Sequence, residues 1–196
     1  MAESKNNPIA LFQVWLAEAH EAEPNDPTAM TLATVSDTGS PSARMVLLEE
    51  ANEKGFVFYT NTQSQKGVEL DTTKLATLLF HWKSLRRQVR VSGGVTRVSD
   101  KEADNYFGHR PRGSQIGAWA SDQSRPLEGR FELEKRVAFY SAKFGIGKVP
   151  RPPHWTGYRV KPREFEFWRD KPFRLHQRTI YHAVESGGWT TGQLFP

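Results

Sequence analysis

Residues 29–60 read AMTLATVSDTGSPSARMVLLEEANEKGFVFYT, and the fold turns on how this stretch is parsed. Short runs of β-branched, aromatic and aliphatic residues stand out at Met30 to Val35, Ala43 to Leu48 and Phe56 to Thr60. Between them lie Asp37-Thr38-Gly39 and Glu53-Lys54-Gly55, turn chemistry too short to hold a crossover helix. Runs joined in this way must fold back on one another, so these strands are expected to pair antiparallel. The same texture returns at Leu75 to Trp82 and Val89 to Val98. Late strands follow at Tyr158 to Val160, Phe165 to Trp168, Thr179 to Val184 and Trp189 to Leu194.

Helical spacing flanks this β-rich centre. After Pro8, the recurrence of Ile9, Leu11, Phe12, Trp15, Leu16 and Ala19 predicts an amphipathic helix to about Ala22, stopped before Pro24. Ser64 to Leu70 reads as a short helix between strands, and Ser99 with Glu102 forms a capping box for another that should stop near Arg110-Pro111. Phe131, Leu133, Val137, Ala138 and Tyr140 predict a longer helix ending around Phe144, before the Pro150, Pro152, Pro153 cluster. The expected architecture is mainly β (α+β): a barrel with peripheral helices, with residues 1–25 a helical lead and 26–196 the barrel, one domain overall.

Composition narrows the chemistry. A chain of 196 residues, 37% hydrophobic, can bury one sizeable core. A formal charge of +5 favours an anionic partner without choosing among nucleic acid, membrane surface and small phosphate. The absence of cysteine excludes disulfides, thiolate nucleophiles and sulfur-ligated metals. The six histidines lack the pairing of a metal site, and Gly145-Ile146-Gly147-Lys148 lacks the spacing of a phosphate loop or dinucleotide fingerprint. The first residues carry no basic leader before an apolar run, and no segment approaches a membrane span, so a cytoplasmic protein is expected.

Five segments could carry chemistry, each with a plainer alternative. Arg44, inside an apolar strand, could grip a phosphate with two parallel hydrogen bonds or could face water at a strand edge. Phe58-Tyr59-Thr60-Asn61 leads through Ser64-Gln65 to Lys66, where hydroxyls, backbone amides and one ammonium can meet an anion; otherwise it is only a helix start. In Arg86-Arg87-Gln88-Val89-Arg90, Gln88 and Arg90 share one strand face and Arg87 takes the other. Tyr106, Arg110 and Ser114 stand at i, i+4 and i+8, but Pro111 interrupts, so their convergence needs a helix end meeting a loop. Arg174, His176 and Arg178 alternate onto one face of an expected strand, where they repel unless an anion or anionic cofactor sits between them.

In this order the segments resemble the pyridoxine/pyridoxamine 5′-phosphate oxidases from about Asp26 to Pro196. The resemblance is carried by DPTAM at Asp26, RMVLL at Arg44, FVFYTN at Phe56, RRQVRV at Arg86, YFGHRPRGSQIGAWAS at Tyr106, EFWRDKPFRLHQR at Glu166 and the terminal Leu194-Phe195-Pro196. It implies a split β-barrel that binds flavin mononucleotide (FMN) at the interface of a homodimer. By positional match it assigns Arg44, Met45, Val46, Leu47, Tyr59, Thr60, Lys66, Gln88, Gln123, Ser124, Trp168 and Arg178 to FMN. The same match gives Tyr106, Arg110 and Ser114 to the substrate phosphate, and Arg174 and His176 to the pyridine ring as the catalytic pair. Three positions depart from the family's usual pattern: Glu49, at a substrate-binding position, replaces a lysine, Gln65 an arginine, and Gln177 the aspartate between histidine and arginine.

The implied reaction is oxidation of pyridoxamine or pyridoxine 5′-phosphate to pyridoxal 5′-phosphate, with FMN as cofactor, molecular oxygen as oxidant and hydrogen peroxide as product. Glu49 and Gln177 motivate an alternative, a relative that carries or senses FMN or pyridoxal phosphate without turnover. A barrel that binds single-stranded nucleic acid through its 12% aromatic content is the third reading. It is set last because its charges would track a groove instead of falling in ordered segments, so neither nucleic acid nor membrane is an expected partner.

Overall fold

The computed structural model describes residues 7–196. Helix α1 (Pro8–Ala22) starts where the Asn7 side chain accepts hydrogen bonds from the Ile9 and Ala10 amides, and it stops at Glu23, before Pro24. Its apolar stripe of Ile9, Phe12, Trp15 and Ala19 is buried in the main core. There the Phe12 ring meets Phe56 and Phe80 edge-on, at centroid distances of 4.7 and 4.9 Å.

The strands are β1 (Ala29–Val35), β2 (Pro41–Leu47), β3 (Glu50–Asn52), β4 (Gly55–Asn61), β5 (Leu75–Trp82), β6 (Arg87–Arg97), β7 (Trp155–Arg169), β8 (Gln177–Ala183) and β9 (Trp189–Leu194). They form one sheet of order β2-β1-β5-β6-β7-β4-β3, with β8 pairing β7 and β9. Every pairing is antiparallel, as the short turns require. The other helices are α2 (Gln65–Thr73), α3 (Asp100–His109), α4 (Arg112–Ala120) and α5 (Glu132–Phe144). Among the described residues, no helix is long and apolar enough to cross a membrane.

Strand β7 is the spine of the sheet. Its first part pairs with β4, from Asn61↔Trp155 to Phe56↔Val160, and its last part with β8, from Glu164↔His182 to Arg169↔Gln177. Strand β6 follows it almost throughout, with a register shift between Ser92 and Gly93. A Cβ at Gly93 would lie 2.0 Å from the Lys161 carbonyl oxygen, so only glycine lets the backbones close here. Exchanging one partner for another along β7 lets the sheet curl into a half-barrel around Met30, Leu32, Phe58, Leu78, Phe80 and Phe165.

The sequence-based expectation differs in a few places. Tyr158 to Val160 and Phe165 to Trp168 are parts of one continuous strand, because β6 carries the pairing across Pro162. Strand β3 is too short to leave a periodic signal. Pro111 ends α3 and also begins α4: it occupies the N-cap position with φ −52°, and the chain re-enters helix at Arg112.

Candidate functional site

The first candidate cluster gathers around the start of β2 and the β4–α2 junction. Along β2, Ser42, Arg44 and Val46 turn inward, while Met45 and Leu47 turn outward, 61% and 49% exposed. Arg44 does not simply face water at a strand edge, and part of its donor set is already engaged within the chain. Its guanidinium donates to the Thr34 hydroxyl and to Ser42 Oγ at 2.7 Å, and it approaches the buried Glu69 carboxylate at 3.4 Å. Burial alone would raise the Glu69 carboxyl. Hydrogen bonds from Thr34, Ser42 and Gln65, with the Arg44 charge, outweigh it and hold Glu69 below the usual carboxylate range.

Ser64 caps α2 by accepting from the Gly67 amide at 3.4 Å. Lys66 stands on the first turn, its pKa lowered by burial and by Arg44, with Glu69 opposing. Lys66 Nζ donates to Gln123 Oε1 at 3.1 Å, and Thr60 Oγ1 donates to the same oxygen at 3.4 Å. An ammonium and a hydroxyl thus converge on a single oxygen atom, beside the first turn of α2. That slot opens into a cavity of about 250 Å³ whose walls include Met45, Val46, Leu47, Lys66 and Gln123.

The far wall of the cavity is a stack of rings. Tyr59 and Tyr106 lie 3.9 Å apart and parallel within 1°, Tyr59 and Trp155 lie 5.2 Å apart at 8°, and the Arg110 guanidinium sits 4.8 Å from the Trp155 ring centroid. Burial, with the charges of Glu102 and Glu50, pushes the Tyr59 hydroxyl up to about 12. Burial also raises Tyr106, and Glu49, which accepts a hydrogen bond from its hydroxyl, raises it further. Arg110 donates to the Ser114 carbonyl at 3.2 Å, and both line an adjoining cavity of about 360 Å³. Arg110 thus lines the first cavity with Tyr106 and the second with Ser114, and Ser114 lies inside α4, not in a loop. Ser124, with φ 71°, lines a third cavity of about 620 Å³ beside Gln123, in the segment between α4 and α5.

The second cluster lies at the other end of β7. Gln88 pairs with Trp168, Trp168 with Arg178, and the His176 ring lies 4.6 Å from that of Trp168. Arg174, His176 and Arg178 do not share one strand face. The 3-10 turn Pro172–Arg174, with φ 59° at Phe173 and 61° at Arg174, breaks the extension, and β8 begins only at Gln177. Nor do they stand as three free cations. Arg178 Nε donates to Glu166 Oε1 at 2.7 Å, and His176 Nδ1 lies 2.9 Å from Asp170 Oδ1.

The two clusters draw on different ends of β7: Trp155, at its start, lines the first, and Trp168, near its end, belongs to the second. Sequence reasoning missed Glu69 and Asp170. Glu69 stands four residues after Gln65, on one face of α2, so helical spacing could have found it. Asp170 was hidden because residues 174–178 were read as extended, which leaves no turn to bring it back to His176.

Comparison with known proteins agrees with this geometry. Residues 16–144 match a family described as pyridoxamine 5′-phosphate oxidase, and residues 155–196 match one described as the pyridoxine 5′-phosphate oxidase C-terminal dimerisation region. A pyridoxine/pyridoxamine 5′-phosphate oxidase from Caulobacter vibrioides is 62% identical over 193 residues, covering 98% of this chain and 86% of the relative. The protein of the same name from Brucella canis is 57% identical over 190 residues, covering 96% and 94%. Among solved structures, PhzG from Burkholderia lata 383, in complex with tetrahydrophenazine-1-carboxylic acid, superposes with a TM-score of 0.91 at 34% identity, covering 97% of this chain and 93% of that one. A pyridoxamine 5′-phosphate oxidase-related, FMN binding protein from Nostoc punctiforme shares the split-barrel fold at a TM-score of 0.76 and 15% identity, covering 97% and 98%. With both of its matched regions in one continuous chain and close relatives spanning almost all of it, the protein belongs to the pyridoxamine 5′-phosphate oxidase family.

Proposed function

We propose that this chain oxidises pyridoxamine or pyridoxine 5′-phosphate to pyridoxal 5′-phosphate, using FMN as cofactor and molecular oxygen as oxidant, with hydrogen peroxide as product. The observation that carries this reading is the slot at the start of α2, where Lys66 and Thr60 converge on one oxygen beside Arg44. Such a donor set fits a phosphate ester, and the cavity it opens into has the apolar strand wall and parallel rings that suit a flat heterocycle. The names of the close relatives support the substrate.

FMN, when bound, supplies the hydride acceptor, a capacity no side chain offers. In this reading Arg44, Lys66 and Thr60 hold the cofactor phosphate. Met45, Val46, Leu47, Tyr59, Gln88, Gln123, Ser124, Trp168 and Arg178 surround the rest of the cofactor. Tyr106, Arg110 and Ser114 grip the substrate phosphate, with Glu49 beside them. Arg174 and His176 orient the substrate ring and stabilise charge that develops on it.

In this reading the chain works as a homodimer whose second copy supplies the second cluster, and the match of residues 155–196 to a dimerisation region supports the homodimer. The test is an absorbance spectrum of the purified protein, recorded anaerobically with and without pyridoxamine 5′-phosphate. A flavin band that bleaches on adding the amine is the expected result. A flavin band that persists, with tight pyridoxal phosphate binding, would favour the carrier or sensor reading instead.

A further inference from the structure

Glu69, on α2, holds its carboxylate where three elements meet. The Thr34 hydroxyl of β1 donates to Oε2, and the Ser42 hydroxyl of β2 donates to Oε2 at 2.7 Å and to Oε1 at 3.0 Å. From one helical turn earlier, Gln65 Nε2 donates to Oε1 at 3.0 Å. The Glu69 side chain is only 7% exposed. These hydrogen bonds and the Arg44 charge outweigh burial, so the group is an ionised carboxylate that only accepts.

That sets the direction of the bonds between Glu69 and Arg44. A hydroxyl has one proton, and Thr34 and Ser42 each give theirs to the carboxylate. The guanidinium therefore meets their lone pairs: Arg44 Nη1 donates to Thr34 Oγ1, and Nη2 donates to Ser42 Oγ at 2.7 Å. Thr34 and Ser42 are partners in the β1–β2 register, so the two hydroxyls make a paired acceptor for the fork of the guanidinium. This hold falls on the two terminal nitrogens, and a guanidinium carries a further donor at Nε. Lys66 stands on the same helix as Glu69. We infer that Glu69 is a positioning residue of the phosphate slot: through the Thr34 and Ser42 hydroxyls it fixes the Arg44 guanidinium, and it ties β2 to the helix that carries Lys66. This rests on the proposed placement of the FMN phosphate at Arg44 and Lys66.

The experiment titrates Glu69→Gln with FMN. The amide keeps the size of the side chain but turns one acceptor into a donor, so one of the two hydroxyls must point its proton away from residue 69 and lose its hold on Arg44. FMN affinity, read by flavin fluorescence, should fall about tenfold. The phosphorus-31 resonance of bound FMN should shift while its visible absorption band keeps its shape, because the slot changes and the surroundings of the ring do not. Ser42→Ala removes one of the paired acceptors and leaves the carboxylate in place; it should weaken FMN about threefold or more, and the double variant should lose less than the product of the two single losses. FMN affinity in Glu69→Gln that stays within about twofold of the native protein, or rises, overturns the inference. So does a loss with a changed absorption band and an unmoved phosphorus resonance, which marks a general loosening. If Glu69→Gln does not fold, Ser42→Ala decides, and an unchanged affinity there overturns the inference. Arg44→Ala tests the placement itself. If it leaves FMN affinity unchanged, the phosphate does not lie at Arg44 and that reading fails; if it weakens FMN while Glu69→Gln does not, only the role of Glu69 fails.

Discussion

Glu49 puts a carboxylate where the substrate phosphate is proposed to lie, and the structure gives its effect a sign. The carboxylate accepts a hydrogen bond from Tyr106 and attracts Arg110, the two groups assigned to that phosphate. In Glu49→Lys both partners are released and the local charge rises by two. Opposite unit charges about 4 Å apart are worth roughly 4 kcal/mol at an effective dielectric near 20. Glu49 is exposed, however, so solvent and salt remove much of this. About 1.4 kcal/mol is a reasonable remainder, which is a tenfold fall in KM for pyridoxamine 5′-phosphate. Turnover at saturation should change less, because a phosphate contact is shared by ground and transition states. The assay is steady-state peroxide formation by both proteins at low and moderate salt, and the gain should shrink as salt rises. An unchanged KM would mean that the Glu49–Tyr106 contact already directs the carboxylate harmlessly away. Turnover found only in the lysine variant would make the carrier or sensor reading the better account of the natural sequence.

Other expectations follow from the same structure. Arg44→Ala removes a charge-assisted phosphate contact and should weaken FMN retention by about 1.5–3 kcal/mol, ten- to a hundredfold in affinity, measured by flavin fluorescence. Glu69 is held below its unfolded value of about 4.3, so the stability it contributes is complete above that pH and fades as pH falls through the lower folded value. Glu69→Gln should therefore flatten acid unfolding below about pH 4.5 in denaturant titrations. Phe12→Ala empties a fully buried position between Phe56 and Phe80 and should cost about 3–5 kcal/mol by urea unfolding. A Cβ at Gly157 would lie 2.6 Å from the Tyr59 ring, so Gly157→Ala should displace the Tyr59–Tyr106–Trp155 stack. A loss of about 1–3 kcal/mol with a changed near-ultraviolet circular dichroism spectrum would register this; an unaltered spectrum would mean that the stack tolerates the methyl.

Much of the fold was legible because its elements are local. Pro8 before the first helix, the Ser99 cap, the strand-length apolar runs and the tight turns state their structure within a few residues. Helix α4 was not legible, since Pro111 can end one helix or begin another and only tertiary packing of Ile116 and Ala120 selects both. The site was readable as residue types in order, yet the partners of those residues were not. Glu69 beneath Arg44, Glu166 beneath Arg178 and Asp170 beside His176 come from other elements or from across a turn that sequence patterning cannot fold.

The outward set of β2 also determines how this protein would age. The chain has no cysteine and three methionines. Met30 is fully buried, whereas Met45 is 61% exposed on the wall of the proposed flavin cavity. Under the proposed reaction, peroxide released there would reach the exposed Met45 thioether, and the resulting sulfoxide would put a polar group on the apolar wall proposed to receive the cofactor. Oxidative wear would then scale with the number of turnovers and not with the redox state of the surroundings, and it would be written as a single added oxygen on the peptide that carries residue 45.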